Sequence, residues 1–378
     1  MRASGDWLTA RGTQAVFAAL EAGGHRAMAV GGCVRNALLG APVNDVDIAT
    51  DARPEEVSEL ARAAGLKPVP TGIAHGTVTV VAQGTGFEVT TFRRDVKTDG
   101  RRAIVAFSDD VAEDAARRDF TMNALYALRD GTLVDPLGGL PDLIARRVRF
   151  VGDPHARVRE DYLRILRFFR FHAWYADPDG GIDADALDAC ARGADGLSAL
   201  SAERIGAEMT RLLSAPDPAP AVAAMAACGV LGRVMPGADA CALAPLVQAE
   251  GDRPPDWRRR AVALGGGTDG WRLPRADARA IDLRRAALAA GMPAAEAAYR
   301  HGAEAARDVA LIRAAATGTV AEFEGIEAAA SARLPLRAAD LPLEGPALGE
   351  ALRRAEDAWI ASGFARSKDE LRQVALAP

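Results

Sequence analysis

Asp45 and Asp47 stand two residues apart in Asn44-Asp45-Val46-Asp47-Ile48-Ala49-Thr50, a run whose polar and apolar residues alternate as in a strand with one buried face. Alternation projects both carboxylates from the same side of that strand, where they can share hard, oxygen-seeking cations. Two Mg2+ ions held there would bridge the phosphates of a nucleotide, lower the pKa of an attacking hydroxyl and steady the charge on departing pyrophosphate. An isolated Asp-x-Asp is more often a turn or capping device. The preceding Gly31-Gly32-Cys33-Val34-Arg35 adds a second signal, because residues without side chains let backbone N–H groups approach a phosphate while Arg35 can fork onto its oxygens. A plain glycine turn would explain Gly31 and Gly32 but not the carboxylates that follow. The turn also lacks the Gly-Lys-Ser/Thr ending of a P-loop and does not match the dinucleotide fingerprint.

These residues need a scaffold, and the flanking sequence supplies a small sheet. A helix is predicted over residues 13–24, ending at Gly23-Gly24, and Ala27 to Val30 reads as a short buried strand running into the glycine turn. Val34 to Leu39 reads as a helical turn ended by Gly40, and Thr77 to Ala82 and Phe87 to Phe92 repeat the strand period. Glu88, an acid inside the last of these strands, is open to two readings, a third acid near the metals or a structural side chain.

From Asp153 onward the strand signal fades. Glu160 to Trp174, Ala202 to Leu213 and Ala219 to Leu231 carry helical periodicity, whereas Asp252 to Arg260 and Gly265 to Arg275 read as loops. On the first of these helices Asp161 and Arg164 fall three apart and hence on one face, with Arg167 and Arg170 continuing the stripe. Such a stripe is ordinarily solvated. An Asp acceptor beside an Arg donor, however, matches the Watson–Crick edges of cytosine and adenine, each of which pairs an amino donor with a ring-nitrogen acceptor.

In order along the chain, Gly31-Gly32 with Val34-Arg35 and Leu38-Leu39-Gly40, then Asp45-Val46-Asp47, resemble the opening motif of class II nucleotidyltransferases of the DNA polymerase beta superfamily, which include tRNA CCA-adding enzymes and bacterial poly(A) polymerases. The resemblance continues through Thr71-Gly72, His75-Gly76-Thr77, Glu88-Val89-Thr90-Thr91-Phe92-Arg93, Arg117-Arg118-Asp119-Phe120-Thr121-Met122-Asn123, Asp135-Pro136-Leu137-Gly138-Gly139, Glu160-Asp161 with Arg164, and Ser201-Ala202-Glu203-Arg204-Ile205. It implies metals at Asp45 and Asp47, and nucleotide phosphates and sugar at Gly31, Gly32, Arg35 and Arg118. It also implies a protein template for CTP and ATP at Asp161 and Arg164, with Arg167 and Arg170 on the same nucleotide-binding stripe. Arg118 would offer a planar fork to a triphosphate, while Arg117 reads equally well as a solvated or salt-bridged helix residue. His75 reads as a structural imidazole in a turn, since metal-assisted transfer needs no histidine.

The expected fold is therefore α+β and multidomain: a nucleotidyltransferase head at 1–145, a helical neck at 146–215 with the base-selecting helix, and a helical body and tail at 216–378 that holds the tRNA acceptor arm. Length agrees, since 378 residues exceed one ordinary core. A net charge of -5 argues against coating nucleic acid by bulk charge and leaves a local basic face open. Cys33, Cys190, Cys228 and Cys241 form no CxxC pair, which argues against zinc. No long uncharged apolar stretch predicts a membrane span, the start lacks a signal-peptide core, and the expectation is a cytoplasmic protein with no obligate protein partner.

Within the family, the resemblance implies addition of CCA from CTP and ATP. The alternatives are poly(A) synthesis, or addition of CC or A alone. Pro70 to Val80 lacks the basic-aromatic run usual in poly(A) polymerases, and Asp95 to Phe107, with Asp99-Gly100-Arg101-Arg102, keeps the loop that CC-adding members tend to lose. A non-catalytic RNA-binding protein on this fold would need to have lost Asp45, Asp47, Arg118, Asp161 or Arg164, and all five are present.

Overall fold

The computed structural model describes residues 1–99 and 102–377. The chain divides into two compact units, Met1–Glu208 with Pro220–Val234, and Met209–Ala219 with Met235–Pro378.

The first unit is built on β1 (Ala27–Val30), β2 (Asp47–Thr50), β3 (Lys67–Gly72), β4 (Thr77–Ala82), β5 (Thr85–Thr91), the hairpin of β6 (Arg93–Asp99) and β7 (Arg102–Phe107), β8 (Tyr126–Ala127) and β9 (Leu133–Val134). Seven strands form one sheet in the order β3-β4-β5-β2-β1-β8-β9, and β6 pairs with β7 separately. β1 is buried along its whole length because strands flank it on both sides, β2 and β8. β4 alternates buried and half-buried residues, as its period predicts. Helices Arg11–Ala22 and Pro54–Ala63 cover one face, with Val16, Phe17, Leu20, Val57, Val78, Val80 and Val89 buried. β2 and β5 are parallel neighbours, which aligns the starts of their exposed residues.

Helix Leu163–Tyr175 is held to the head by aromatic packing. Phe120 stands 5.0 Å from Phe150 and 4.7 Å from Phe171, and Phe150 stacks on Phe168 at 5.6 Å. The helix predicted over Glu160 to Trp174 is in fact two, Pro154–Glu160 and Leu163–Tyr175, interrupted where Asp161 adopts an extended conformation with φ -152°. Likewise Ala219 to Leu231 divides into Ala219–Ala227 and Val230–Val234 around Gly229, whose φ of 76° ends the first helix.

In the second unit, helices Leu243–Glu250, Trp257–Leu264, Arg275–Ala289 and Ala303–Thr317 bury Leu246, Val262, Ile281 and Leu311, while Trp359 and Leu371 anchor a further cluster from Gly345–Ala361 and Lys368–Leu376. The loop expected at Asp252 to Arg260 is shorter than predicted. Asp256 accepts from Arg258 N–H at 2.7 Å and starts the helix at Trp257. The four cysteines are free thiols, and burial pushes the Cys33 thiol up to about 11. No helix among the described residues is long and apolar enough to cross a membrane.

Candidate active site

β1 ends at Val30 and the chain turns at Gly31, whose φ of 72° and ψ of -119° suit glycine and strain other residues. A Cβ there would stand 3.4 Å from Arg118 Nη1, so that guanidinium lies over the turn. The Gly31 N–H donates to Leu125 O at 3.2 Å, fastening the turn to the segment that follows Arg118. Gly32 begins helix Gly32–Leu38, two residues earlier than the sequence pattern predicts.

Asp47 opens β2 with an exposed side chain, and its register partner on the parallel strand is Glu88 of β5, also exposed. Glu88 is thereby brought beside Asp47, an adjacency that its own strand pattern could not reveal. Asp45 is exposed in the lead-in and lies outside β2, because the ladders to β1 and β5 end at Ile48 and Asp47. Partial desolvation raises the Asp47 carboxyl pKa, Glu88 and Asp45 raise it further by repulsion, and Arg118 draws it down. Three like charges around one strand end favour protonation or a divalent cation, and oxygen donors of this kind suit Mg2+.

Among the described residues, a tighter acidic group lies in the second unit, where Asp256, Glu304 and Asp308 place ligand atoms within 4.8 Å of one another. Arg258, Arg259 and Arg284 pair with these acids, so their charge is already compensated.

Arg118 is fixed from behind. Its Nε donates to Tyr126 Oη at 3.0 Å and its Nη2 to Asp114 Oδ2 at 3.0 Å, while Tyr126 Oη donates to the same oxygen at 2.7 Å. Asp114 is 1% exposed. Its burial alone would raise the carboxyl pKa, but Arg118 and Arg117 outweigh that and hold it below the usual value. Arg117 is a salt-bridge partner, bonding Asp114 through Nε at 2.8 Å. Neither Asp114 nor Tyr126 was singled out from the sequence. The only local signal was the acid–base spacing of four between Asp114 and Arg118.

Arg35 departs from the expected orientation. It is 6% exposed and turned inward, with Nη1 on Asn123 Oδ1 at 2.5 Å, Nη2 on Tyr175 Oη at 2.8 Å and Nε on Asn36 Oδ1 at 3.1 Å. Burial works against the charged guanidinium and lowers its pKa, and the Tyr175 and Phe171 rings and the polar partners offset part of that cost.

Asp161 and Arg164 do not share a continuous helix face, because Asp161 occupies the break. Its Oδ1 accepts the Leu163 N–H at 3.0 Å, capping the second helix, and its Oδ2 accepts Arg204 Nη2 at 2.6 Å. Arg164 Nη1 reaches Glu160 Oε2 at 2.5 Å and Arg157 O at 2.9 Å. The break needs space at Tyr162, which Gly196 provides: a Cβ on Gly196 would stand 2.2 Å from the Tyr162 ring. Both residues of the pair thus sit on one short segment, each oriented by partners other than its mate.

The expected stripe of Arg167 and Arg170 is an ion-paired face. Arg167 Nε donates to Asp119 Oδ2 at 2.8 Å, and Arg170 Nε to Glu208 Oε2 at 2.6 Å. The Asp135 motif is a turn in which both carboxylate oxygens accept backbone N–H groups, those of Gly139 at 2.8 Å and Leu140 at 2.9 Å. His75 lies in a short 3₁₀ turn where its backbone carbonyl accepts from Arg93. Gly100 and Arg101, central to the loop reading, lie outside the described residues.

Residues 27–149 match the family model for the poly A polymerase head domain, and residues 181–241 match that for a probable RNA and SrmB-binding site of polymerase A. The mitochondrial CCA tRNA nucleotidyltransferase 1 of Mus musculus is 44% identical over 191 residues, which are 50% of this chain and 44% of that protein. The CCA-adding enzyme of Lacticaseibacillus paracasei is 45% identical over 200 residues, covering 52% of this chain and 48% of that enzyme. By sequence the chain spans about half the length of the curated relatives it matches. The crystal structure of the Bacillus stearothermophilus CCA-adding enzyme in complex with CTP superposes with a TM-score of 0.72 at 30% identity, covering 95% of this chain and 94% of that one.

Proposed function

Because the chain belongs to the CCA-adding enzyme family, we propose that it completes the 3′ end of tRNA, adding CMP and AMP from CTP and ATP without a nucleic-acid template. The observation that carries this reading is the register of Asp47 with Glu88 at the mouth of a glycine turn overlain by Arg118.

Asp45 and Asp47, with Glu88 as a third acid, would hold Mg2+, and the repulsion that raises the Asp47 pKa is what such a cation relieves. When bound, Mg2+ supplies charge neutralisation on the triphosphate and on the departing pyrophosphate. The chain's own groups do the rest. The turn at Gly31 and Gly32 lets the phosphates approach the backbone, and Arg118, with two nitrogens anchored on Tyr126 and Asp114, presents Nη1 over that turn. Asp161 accepts and Arg164 donates toward the base edge, a pattern that fits cytosine and adenine and mismatches uracil and guanine. Arg167 and Arg170 hold the segment that carries this pair. The helices beyond the head would grip the acceptor arm by phosphate and shape, as A-form RNA requires.

The functional division into a head at 1–145, a neck at 146–215 and a body and tail at 216–378 belongs to this proposal, as does action in the cytoplasm. The test uses purified protein, labelled ATP or CTP, and tRNA ending at the discriminator base, at -C or at -CC, with Mg2+ or with EDTA. Addition should need the metal and stop after one A, and Asp47→Ala should bind tRNA but extend none of the three substrates. Long A tails on arbitrary RNA would identify a poly(A) polymerase. A halt after two C would identify a CC-adding enzyme.

A further inference from the structure

We propose that Arg157 is a positioning residue for nucleotide choice: by engaging the carbonyls of Arg117 and Arg118 and one oxygen of Glu160, it holds the Arg164 guanidinium in its base-reading place. The inference rests on the nucleotidyl-transfer reading above and deepens it. Arg157 lies on helix Pro154–Glu160 and is 7% exposed, and the sequence pattern did not single it out.

Its surroundings explain where it goes. Arg117 is the C-cap of helix Val111–Ala116, and the last carbonyls of a helix have no partner within it. Backbone bonds from the Thr121 N–H to Arg149 O and from the Val151 N–H to Asp119 O, both at 3.0 Å, lay the stretch before Arg157 beside the stretch after that helix. Arg157 Nη2 then donates to Arg118 O at 2.7 Å and to Arg117 O, placing a cation where a helix C-terminus favours one. Its Nη1 donates to Glu160 Oε2.

Arg164 shares these partners. Its Nη1 donates to the same Glu160 oxygen at 2.5 Å and to Arg157 O at 2.9 Å, while its Nη2 stands 3.4 Å from Arg117 O. Two guanidiniums therefore face one carboxylate oxygen and one helix end, and Arg157 takes the nearer place at the Arg117 carbonyl. With Arg157 gone, Arg164 remains as the partner of both Glu160 and that carbonyl. It should then settle against the helix end and turn its donors from the base edge, where alignment decides the strength of a hydrogen bond. The same node ties the two ends of the nucleotide pocket, because Arg118, whose main chain Arg157 holds, presents Nη1 over the glycine turn.

The experiment compares Arg157→Met, which keeps much of the volume without the charge, with Arg157→Lys, which keeps the charge without the fork. On the full chain, kcat/KM is measured for ATP against GTP with tRNA ending in -CC, and for CTP against UTP with tRNA ending at the discriminator base. Selectivity should fall about tenfold in Arg157→Met, as for a lost charged hydrogen bond, and about threefold in Arg157→Lys. In an Arg164→Ala background, Arg157→Met should lower selectivity no further, since both changes act through the same guanidinium. Arg157→Lys carries the test in both backgrounds if Arg157→Met does not fold. Unchanged selectivity with kcat lowered equally for all four nucleotides would make Arg157 a structural support and overturn the proposal. A further loss of selectivity in the Arg164→Ala background would also overturn it, because Arg157 would then act by another route. A parent protein that does not discriminate among nucleotides, or an Arg164→Ala variant that rejects GTP and UTP as the parent does, would instead defeat the functional reading itself.

Discussion

Asp119 receives bonds from the Phe120 N–H, Asn123 Nδ2 and Arg167 Nε, at 2.8 to 2.9 Å. Burial alone would raise its pKa, but Arg167 and these donors prevail and hold it at about 2, against the usual 3.8. A depressed carboxylate stabilises the fold fully above its unfolded pKa and loses that contribution as pH falls through the folded value. The gain is about 2 kcal/mol at neutral pH and should vanish between about pH 4 and pH 2. Urea unfolding of the parent and of Asp119→Asn across that range checks it, and a stability gap independent of pH would refute the assignment. At Asp161 and Arg164 the consequence is for choice of substrate. Each alanine variant removes half of the base-reading pattern and should relax discrimination by about 1–3 kcal/mol. Single-nucleotide incorporation with GTP and UTP measures this, and undiminished rejection of both by both variants would exclude a protein template.

Among elements, the break between Pro154–Glu160 and Leu163–Tyr175 is the feature on which the pair depends. Asp161 leaves the first helix and caps the second, Arg204 secures its other oxygen, and the missing side chain of Gly196 admits Tyr162 beside it. Gly196→Ala must displace the Tyr162 ring, at an overpacking cost of about 1–3 kcal/mol. Because Tyr162 follows Asp161 directly, the variant should lose base selectivity as well as stability. Gly181→Ala is the control: its φ of 70° brings conformational strain, but no neighbour meets the new Cβ. Equal selectivity in the two variants, at matched folded fraction, would show that the break tolerates a shifted Tyr162.

For the molecule as two units, the second holds a deeply buried charge of its own. Arg260 is 1% exposed, and it meets Glu250 Oε2 at 2.7 Å, Leu213 O at 2.8 Å and Pro216 O at 3.0 Å, as well as Ala215 O. It thereby binds the segment Met209–Ala219 to the helices after Met235, joining the two stretches of chain that make up this unit. Arg260→Met fills much of the volume but leaves three carbonyls unsatisfied and Glu250 short of a partner. Loss of one member of such a buried pair costs about 3–5 kcal/mol. Trp257 and Trp271 report on this unit, so their fluorescence during urea unfolding gives the measurement. A midpoint unchanged from the parent would mean that water or Arg259 takes over the role.

The sequence by itself determined what depends on neighbours along the chain. A short apolar run marked the buried β1, period-two alternation marked the face of β4, and the Asp45-x-Asp47 spacing put two carboxylates within electrostatic reach of each other, although Asp45 lies outside the strand. Glycines identified the turn, and the order of motifs identified the family, since motif order survives when packing details change. What tertiary structure alone decided depends on residues far apart in sequence. Glu88 reaches Asp47 only because β5 pairs in parallel with β2. Arg35 turns inward because Asn123, 88 residues on, and Tyr175, 140 residues on, offer bonds that a local reading could not anticipate. The break at Asp161 was masked because its apolar neighbours continue a helical period, while the acid that caps the second helix is held in place by Arg204, 43 residues later. Periodicity reports which face of an element is buried. It does not report which polar partner waits there, and in this protein those partners set the direction of the site's arginines.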